Sequence, residues 1–264
     1  MTLYIIGLGL SDCKDITVKG LEAVKKSKKV FLENYTAVLG SSKEELEEFY
    51  GKEVILASRD LVEKESNIIL EDAKESDVSF LVVGDVFGAT THTDLYLRAK
   101  SKGIKIEIIN NASIMNVISK TGLDLYKFGT TTSIVFDDDN WLPETPYNII
   151  GENQKRGLHT LCLLDIKVAE PSKENLLKGI NKPEPARFMT INQAIKVLKK
   201  IESKRNEKVI SDETFAIGVA RLGHKDELIK SGKLSELEHF DFGKEMHSLI
   251  IPGKLNELEK EFLK

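Results

Sequence analysis

The sequence predicts an α/β protein built of two unlike α/β domains, and three observations lead there. Short β-rich apolar runs alternate with amphipathic helical stretches, the pattern of strands joined through helices. Turns rich in glycine and small residues follow four of these runs, at Gly7–Leu10, Gly84–His92, Asn110–Ile114 and Ala220–Gly223. A chain of 264 residues is long for one compact core and comfortable for two domains.

Leu3–Ile6 reads as a buried first strand, closed by Gly7-Leu8-Gly9-Leu10. A helix follows, with Thr17 as N-cap and Leu21 and Val24 on one face. Val30-Phe31-Leu32 is a short strand ending at Glu33. Helical patterns cover Glu44–Phe49 and Glu65–Lys74, with the apolar run Val54-Ile55-Leu56 between them. Phe80–Val83 is the clearest buried strand, stopped by Gly84-Asp85. Past a Gly/Thr-rich loop a helix runs to about Lys102, and Ile104–Ile109 is another strand.

The pattern pauses at Asn110-Asn111, which puts an N-terminal α/β domain at 1–111 and a C-terminal one at 112–264. The second is richer in strands: Thr131–Phe136, His159–Ile166, Thr214–Ala220 and Ser248–Ile251. Its loops carry Pro143, Pro146, Pro171, Pro183 and Pro185. A helix spans Thr190–Ser203, with Ala194, Val197, Leu198 and Ile201 as its stripe, and a short amphipathic helix closes the chain over Leu255–Leu263.

Composition removes several function classes. A net charge of -4 argues against a nucleic-acid-binding surface, which needs an excess of Lys and Arg. Cys13 and Cys162 form no CxxC pair, so no metal site is expected. No run nears the ~18 apolar residues of a membrane helix, and the start has no basic segment before its short apolar run. The expectation is a cytoplasmic protein with neither membrane nor nucleic-acid partner.

Ligands of open α/β sheets bind at the carboxyl ends of strands, so the four turns are where a site forms. The first turn invites a dinucleotide reading, with Glu33 in place of the ribose-binding acid. Yet Asp12 stands where G-x-G-x-x-G needs its third glycine, and an anion there repels a pyrophosphate. In the second turn Asp85 is either a ligand anchor or, with Thr90, a helix N-cap. Nucleophile-elbow, P-loop and H-E-x-x-H patterns are missing; a transfer that depends on positioning fits better than hydrolysis.

Several blocks, in order along nearly the whole chain, carry a family resemblance. Tyr4-Ile5-Ile6-Gly7-Leu8-Gly9-Leu10 with Asp15–Leu21, and Glu33-Asn34-Tyr35-Thr36, look like the opening of diphthine synthases. Gly84-Asp85-Val86-Phe87-Gly88-Ala89-Thr90-Thr91-His92-Thr93-Asp94-Leu95 is similar to their G-D-P-x-x-A-T-T-H-x-D-L, with Val86 in place of the proline. Asn111–Asn116, Gly157–Lys167, Val219–Gly223 and His247–Gly253 resemble the later blocks. Gly88, the stretch Trp141–Ile150 and Arg187–Ala194 look like eukaryotic members.

The resemblance implies two unlike α/β domains of tetrapyrrole methylase-like fold, with a cofactor cleft between them holding S-adenosylmethionine, released as S-adenosylhomocysteine. By motif, the cofactor contacts are Leu10, Asp85, Gly88, Ser113, Ile114, Leu164, Leu222 and His247. No catalytic residue is assigned. The implied reaction is methylation of the modified histidine of elongation factor 2, ending in eukaryotic members with a methyl ester, by a homodimer. Two alternatives share the fold: a tetrapyrrole methylase acting on corrin precursors, and a non-catalytic cofactor-binding module. The loop from Asp137 to Tyr147, with Asp137-Asp138-Asp139, Trp141 and Tyr147, reads either as a solvated connection anchored by Trp141 or as a rim that steers the protein substrate.

Overall fold

The structure is a computed structural model that describes residues 1–138, 141–168 and 184–264. It comprises two compact units, Met1–Val117 with Gly223–Lys225, and Ile118–Leu222 with Asp226–Lys264. This division falls past the expected 111/112 boundary. Ser113 belongs with the first unit because it lies in contact with the backbone at Gly84 and Gly88. Gly223 belongs there because it packs on Leu10.

The first unit holds a five-stranded sheet: β1 (Thr2–Gly7), β2 (Lys29–Glu33), β3 (Ile55–Ala57), β4 (Val78–Val82) and β5 (Lys105–Ile109). Their order is β3-β2-β4-β1-β5, with every pairing parallel. A parallel sheet is covered on both faces, which is why all five residues of β4 are buried. The helix Val18–Lys26 starts at Thr17, whose side chain accepts the Gly20 N–H, and it buries Gly20, Ala23 and Val24. Ile6, Leu8, Val24, Leu32 and Leu81 share one core cluster. The chain leaves β1 toward β2 on one side and later reaches β5 on the other. The carboxyl ends near β1 are therefore a topological switch point.

The second unit is built on β6 (Thr132–Ile134), β7 (Thr160–Leu164), β10 (Phe215–Ala220), β11 (Leu228–Lys233) and β12 (His247–Ile251). They are ordered β11-β10-β12-β7-β6. Only the β6–β7 pair among them is parallel. A separate two-stranded ribbon joins β8 (Ile166–Lys167) to β9 (Arg187–Phe188). The helix Ile191–Arg205 opens with a capping box between Thr190 and Gln193, which satisfies two orphan N–H groups reciprocally. Its stripe Ile191, Ala194, Ile195, Leu198 and Ile201 is fully buried in the same cluster as Ile134, Cys162, Ala216 and Leu249.

Tyr147 corrects one expectation. It lies in a helix, Thr145–Lys155, and is buried in the core, where its hydroxyl donates to Glu202 at 2.9 Å. It is no part of a rim. Among the described residues no helix is long and apolar enough to cross a membrane. Pro171, Pro183 and Asp139 lie outside the described residues.

Candidate functional site

The carboxyl ends of β1, β4 and β5 meet in one braced assembly within the first unit. Gly9 (φ +79°) and Gly84 (φ +83°) exchange backbone hydrogen bonds of 3.1 and 2.7 Å, tying the turn after β1 to the turn after β4. Both need the left-handed region that glycine enters freely. Asn111, just past β5, donates from Nδ2 to the carbonyls of Gly7 at 3.0 Å and Asp15 at 2.9 Å. One side chain thus pins three segments.

Asp85 is the polar centre of this assembly. Oδ1 accepts the Phe87 N–H at 3.0 Å; Oδ2 accepts Asn110 Nδ2 and the Asn111 N–H, each at 3.0 Å. Burial pushes its pKa up, but the hydrogen bonds from Phe87, Asn111 and Asn110 outweigh it and hold the carboxyl below its ordinary value. Neither N-cap alternative holds. The following helix starts at Thr93, and the Thr90 hydroxyl donates to the Val86 carbonyl at 2.6 Å.

Gly88 and Ser113 are in direct contact. A Cβ on Gly88 would stand 2.7 Å from Ser113 Oγ, so only glycine lets these turns close. Ser113 is buried, with Ile114 half-buried after it. Leu10 is half-buried under Gly223. The structure therefore brings Leu10, Asp85, Gly88, Ser113 and Ile114 together at one edge of one sheet.

The first turn is chemically unlike a dinucleotide site. The backbone N–H groups of Ser11 and Leu10 point to Asp15 Oδ2, at 2.8 and 3.3 Å. Amides that would cradle a pyrophosphate are taken by a carboxylate, beside the second carboxylate of Asp85. Such an edge repels phosphate and suits a ligand carrying positive charge.

The other three expected residues lie in the second unit. Leu164 ends β7 and Leu222 follows β10; both are buried. His247 opens β12, with both ring nitrogens engaged. Nδ1 accepts the Ile191 N–H at 3.3 Å and Nε2 donates to the Lys244 carbonyl at 2.9 Å. Ile191 is the first residue of its helix, so His247 satisfies an N–H left open by helix geometry. Burial lowers its pKa most, and Arg221 adds to that, so it is a neutral brace. Arg221 fastens the same loop, donating from Nη1 to the Phe242 carbonyl at 2.9 Å.

Sequence reasoning passed over Asn110, Asn111 and Asp15 as functional side chains. Asn110-Asn111 stood out as a pause and as the start of a site-forming turn, with no role for either side chain, although paired amides at a strand end are a signal for bridging neighbouring turns.

The fold is that of a methylase family of group-transfer enzymes. The chain belongs to the tetrapyrrole (corrin/porphyrin) methylase family, whose model matches residues 2–238. Within it the chain is similar to the diphthine methyl ester synthase of Saccharomyces cerevisiae, 55% identical over 99% of this chain and 88% of that one. The human diphthine methyl ester synthase is 52% identical over 99% and 93%. A crystal structure of a diphthine synthase superposes with a TM-score of 0.85 at 37% identity, covering 100% of this chain and 94% of the other. The chain is a methyltransferase of this kind, with the fold expected of it.

Proposed function

We propose that this chain uses S-adenosylmethionine to methylate the modified histidine of elongation factor 2 in diphthamide biosynthesis, forming the diphthine methyl ester. The observation that carries the reading is the end-to-end likeness to diphthine methyl ester synthases, at 55% and 52% identity. A corrin-precursor methylase would share the family model but not that likeness. The family resemblance further implies a cytoplasmic homodimer.

The residues present fit the donor. Small side chains at Gly84, Gly88 and Ser113 allow close backbone approach, and the carboxylates of Asp15 and Asp85 suit a cationic ligand. We assign donor contacts to Leu10, Asp85, Gly88, Ser113 and Ile114, and carry Leu164, Leu222 and His247 over from the resemblance. When bound, the donor supplies a methyl group already activated on a sulfonium.

The chain's own task is alignment and exclusion of water. Asp85 fixes the turns after β4 and β5 in one geometry, and the resemblance gives Leu164 and Leu222 the part of apolar walls. Forming an ester needs little more, because the acceptor is a carboxylate, ionised near neutral pH, with no proton to remove. Its oxygen forms the new C–O bond as the C–S bond breaks, and sulfur keeps the electron pair. Calorimetry with S-adenosylhomocysteine and, separately, NAD tests the donor. Binding of NAD with no response to S-adenosylhomocysteine would overturn the assignment.

A further inference from the structure

Lys167 and Arg187 face each other as register partners across the antiparallel β8–β9 ribbon. Like charges directly opposed destabilise a strand pair, so an anion belongs between them. Asp138 supplies one. Its carboxylate accepts from Lys167 Nζ at 2.7 Å and from the two terminal guanidinium nitrogens of Arg187 at 3.1 and 3.2 Å. The ring of Phe136 supports both cations, with the guanidinium carbon 4.2 Å and the ammonium nitrogen 5.8 Å from its centroid.

Among the described residues, two cations against one carboxylate leave a single positive charge. The three charged side chains remain open to solvent, at 33% for Lys167, 36% for Asp138 and 48% for Arg187. Arg187 offers five N–H donors in all, and among the described residues Asp138 takes two of them, which leaves donors for a second oxyanion. The cluster follows the carboxyl ends of the parallel pair β6–β7, where Ile134 stands in register with Leu164, one of the donor residues carried over from the resemblance. Asp138 is therefore not a free charge for long-range steering, as the acidic triplet suggested. It is the anchor of a cation pair.

We propose that Arg187 and Lys167 form the subsite for the carboxylate of the acceptor's aminocarboxypropyl arm. This rests on the functional reading above. The subsite gives the arm its orientation, and it explains product release: esterification removes the negative charge, so the product loses its hold on the pair. Arg187 is the positioning residue and Lys167 its auxiliary.

The test compares binding of two forms of elongation factor 2 in the presence of S-adenosylhomocysteine: one with the free carboxylate on the arm, one with the methyl ester. The parent protein is expected to prefer the free acid by about tenfold, the weight of one partly exposed charge-assisted contact. Arg187→Gln should bring the two affinities together by weakening only the acid, and Arg187→Lys should restore part of the preference. Equal weakening of both forms by Arg187→Gln would mean that the cluster supports the ribbon alone, and would overturn the subsite. No preference in the parent would overturn it too. A parent that binds neither form and transfers no methyl group would overturn the functional reading, and the subsite with it.

Discussion

Asp85 accepts the backbone N–H of Asn111 at 3.0 Å, which makes the turns after β4 and β5 one hydrogen-bonded piece. The carboxylate that the resemblance assigns to the donor is also the strut that holds two other proposed donor contacts, Ser113 and Ile114, in place. Asp85→Ala should therefore lower stability by about 1–3 kcal/mol, the cost of leaving several donors unpaired, and weaken donor binding as well. Denaturation and calorimetry on the same variant check this. Unchanged stability with lost binding would make Asp85 a ligand contact only. The folded carboxyl sits below its ordinary value of 3.8, so its contribution is full above that value and fades as pH falls through the depressed pKa.

Gly88→Ala should cost about 1–3 kcal/mol, because the added methyl overlaps Ser113 and the core must shift. Donor affinity should fall with it. Combining Gly88→Ala with Ser113→Gly should recover much of both losses, since the clash is with that side chain. A double-mutant cycle with no coupling would show that the two turns do not meet in solution.

His92 is fully buried, edge-on to the rings of Phe80 and Tyr35, and neither ring nitrogen has a partner among the described residues. Burial lowers its pKa from 6.5 to about 4. The folded state thus resists a proton that the unfolded chain takes up below pH 6.5, so stability drops as pH falls from 6.5 toward about 4. His92→Phe should remove that share of the acid sensitivity and raise the melting temperature more at pH 5 than at pH 7.5. A variant with the parent's pH dependence would contradict the buried neutral imidazole.

Glu259 ties the C-terminal helix Glu257–Phe262 to the second unit. It pairs with Lys127 at 2.6 Å and accepts from His159 Nε2 at 2.9 Å. His159 Nδ1 accepts the Gly253 N–H at 3.0 Å, which fixes the proton on Nε2. Burial opposes the charge, yet the bonds from Lys127, Asn256, Asp124 and His159 bring the pKa from 4.5 down to about 2. Stability from this group is complete above pH 4.5 and is lost as pH falls toward about 2. Glu259→Gln should cost about 3 kcal/mol at neutral pH, as for breaking a buried pair, measured by urea unfolding.

Much of the fold was legible in the sequence because the apolar periods were clean. Thr17 caps its helix as read, β1, β2, β4 and β5 stand where the apolar runs put them, and Thr190 opens the long helix. The helix Thr145–Lys155 was missed because Pro146 read as a loop residue. Proline in a first turn gives up an N–H that the helix leaves open anyway, and Gly157 at φ +71° closes the other end; that pairing was the available signal. Strand β11 hid in Leu228–Lys233, whose lysines suit an edge position and blur the alternation. Motif resemblance picked out Leu10, Asp85, Gly88, Ser113 and Ile114, whereas the bracing by Asn111 depends on segments 104 and 96 residues away, which no local pattern encodes.

The most direct test of the central claim is the intact mass of elongation factor 2, carrying the aminocarboxypropyl histidine, after incubation with this protein and S-adenosylmethionine, before and after mild alkali. The account predicts successive methyl increments, one of which alkali removes as an ester. An unchanged mass, while the same protein binds S-adenosylhomocysteine, would contradict it. So would increments that all survive alkali.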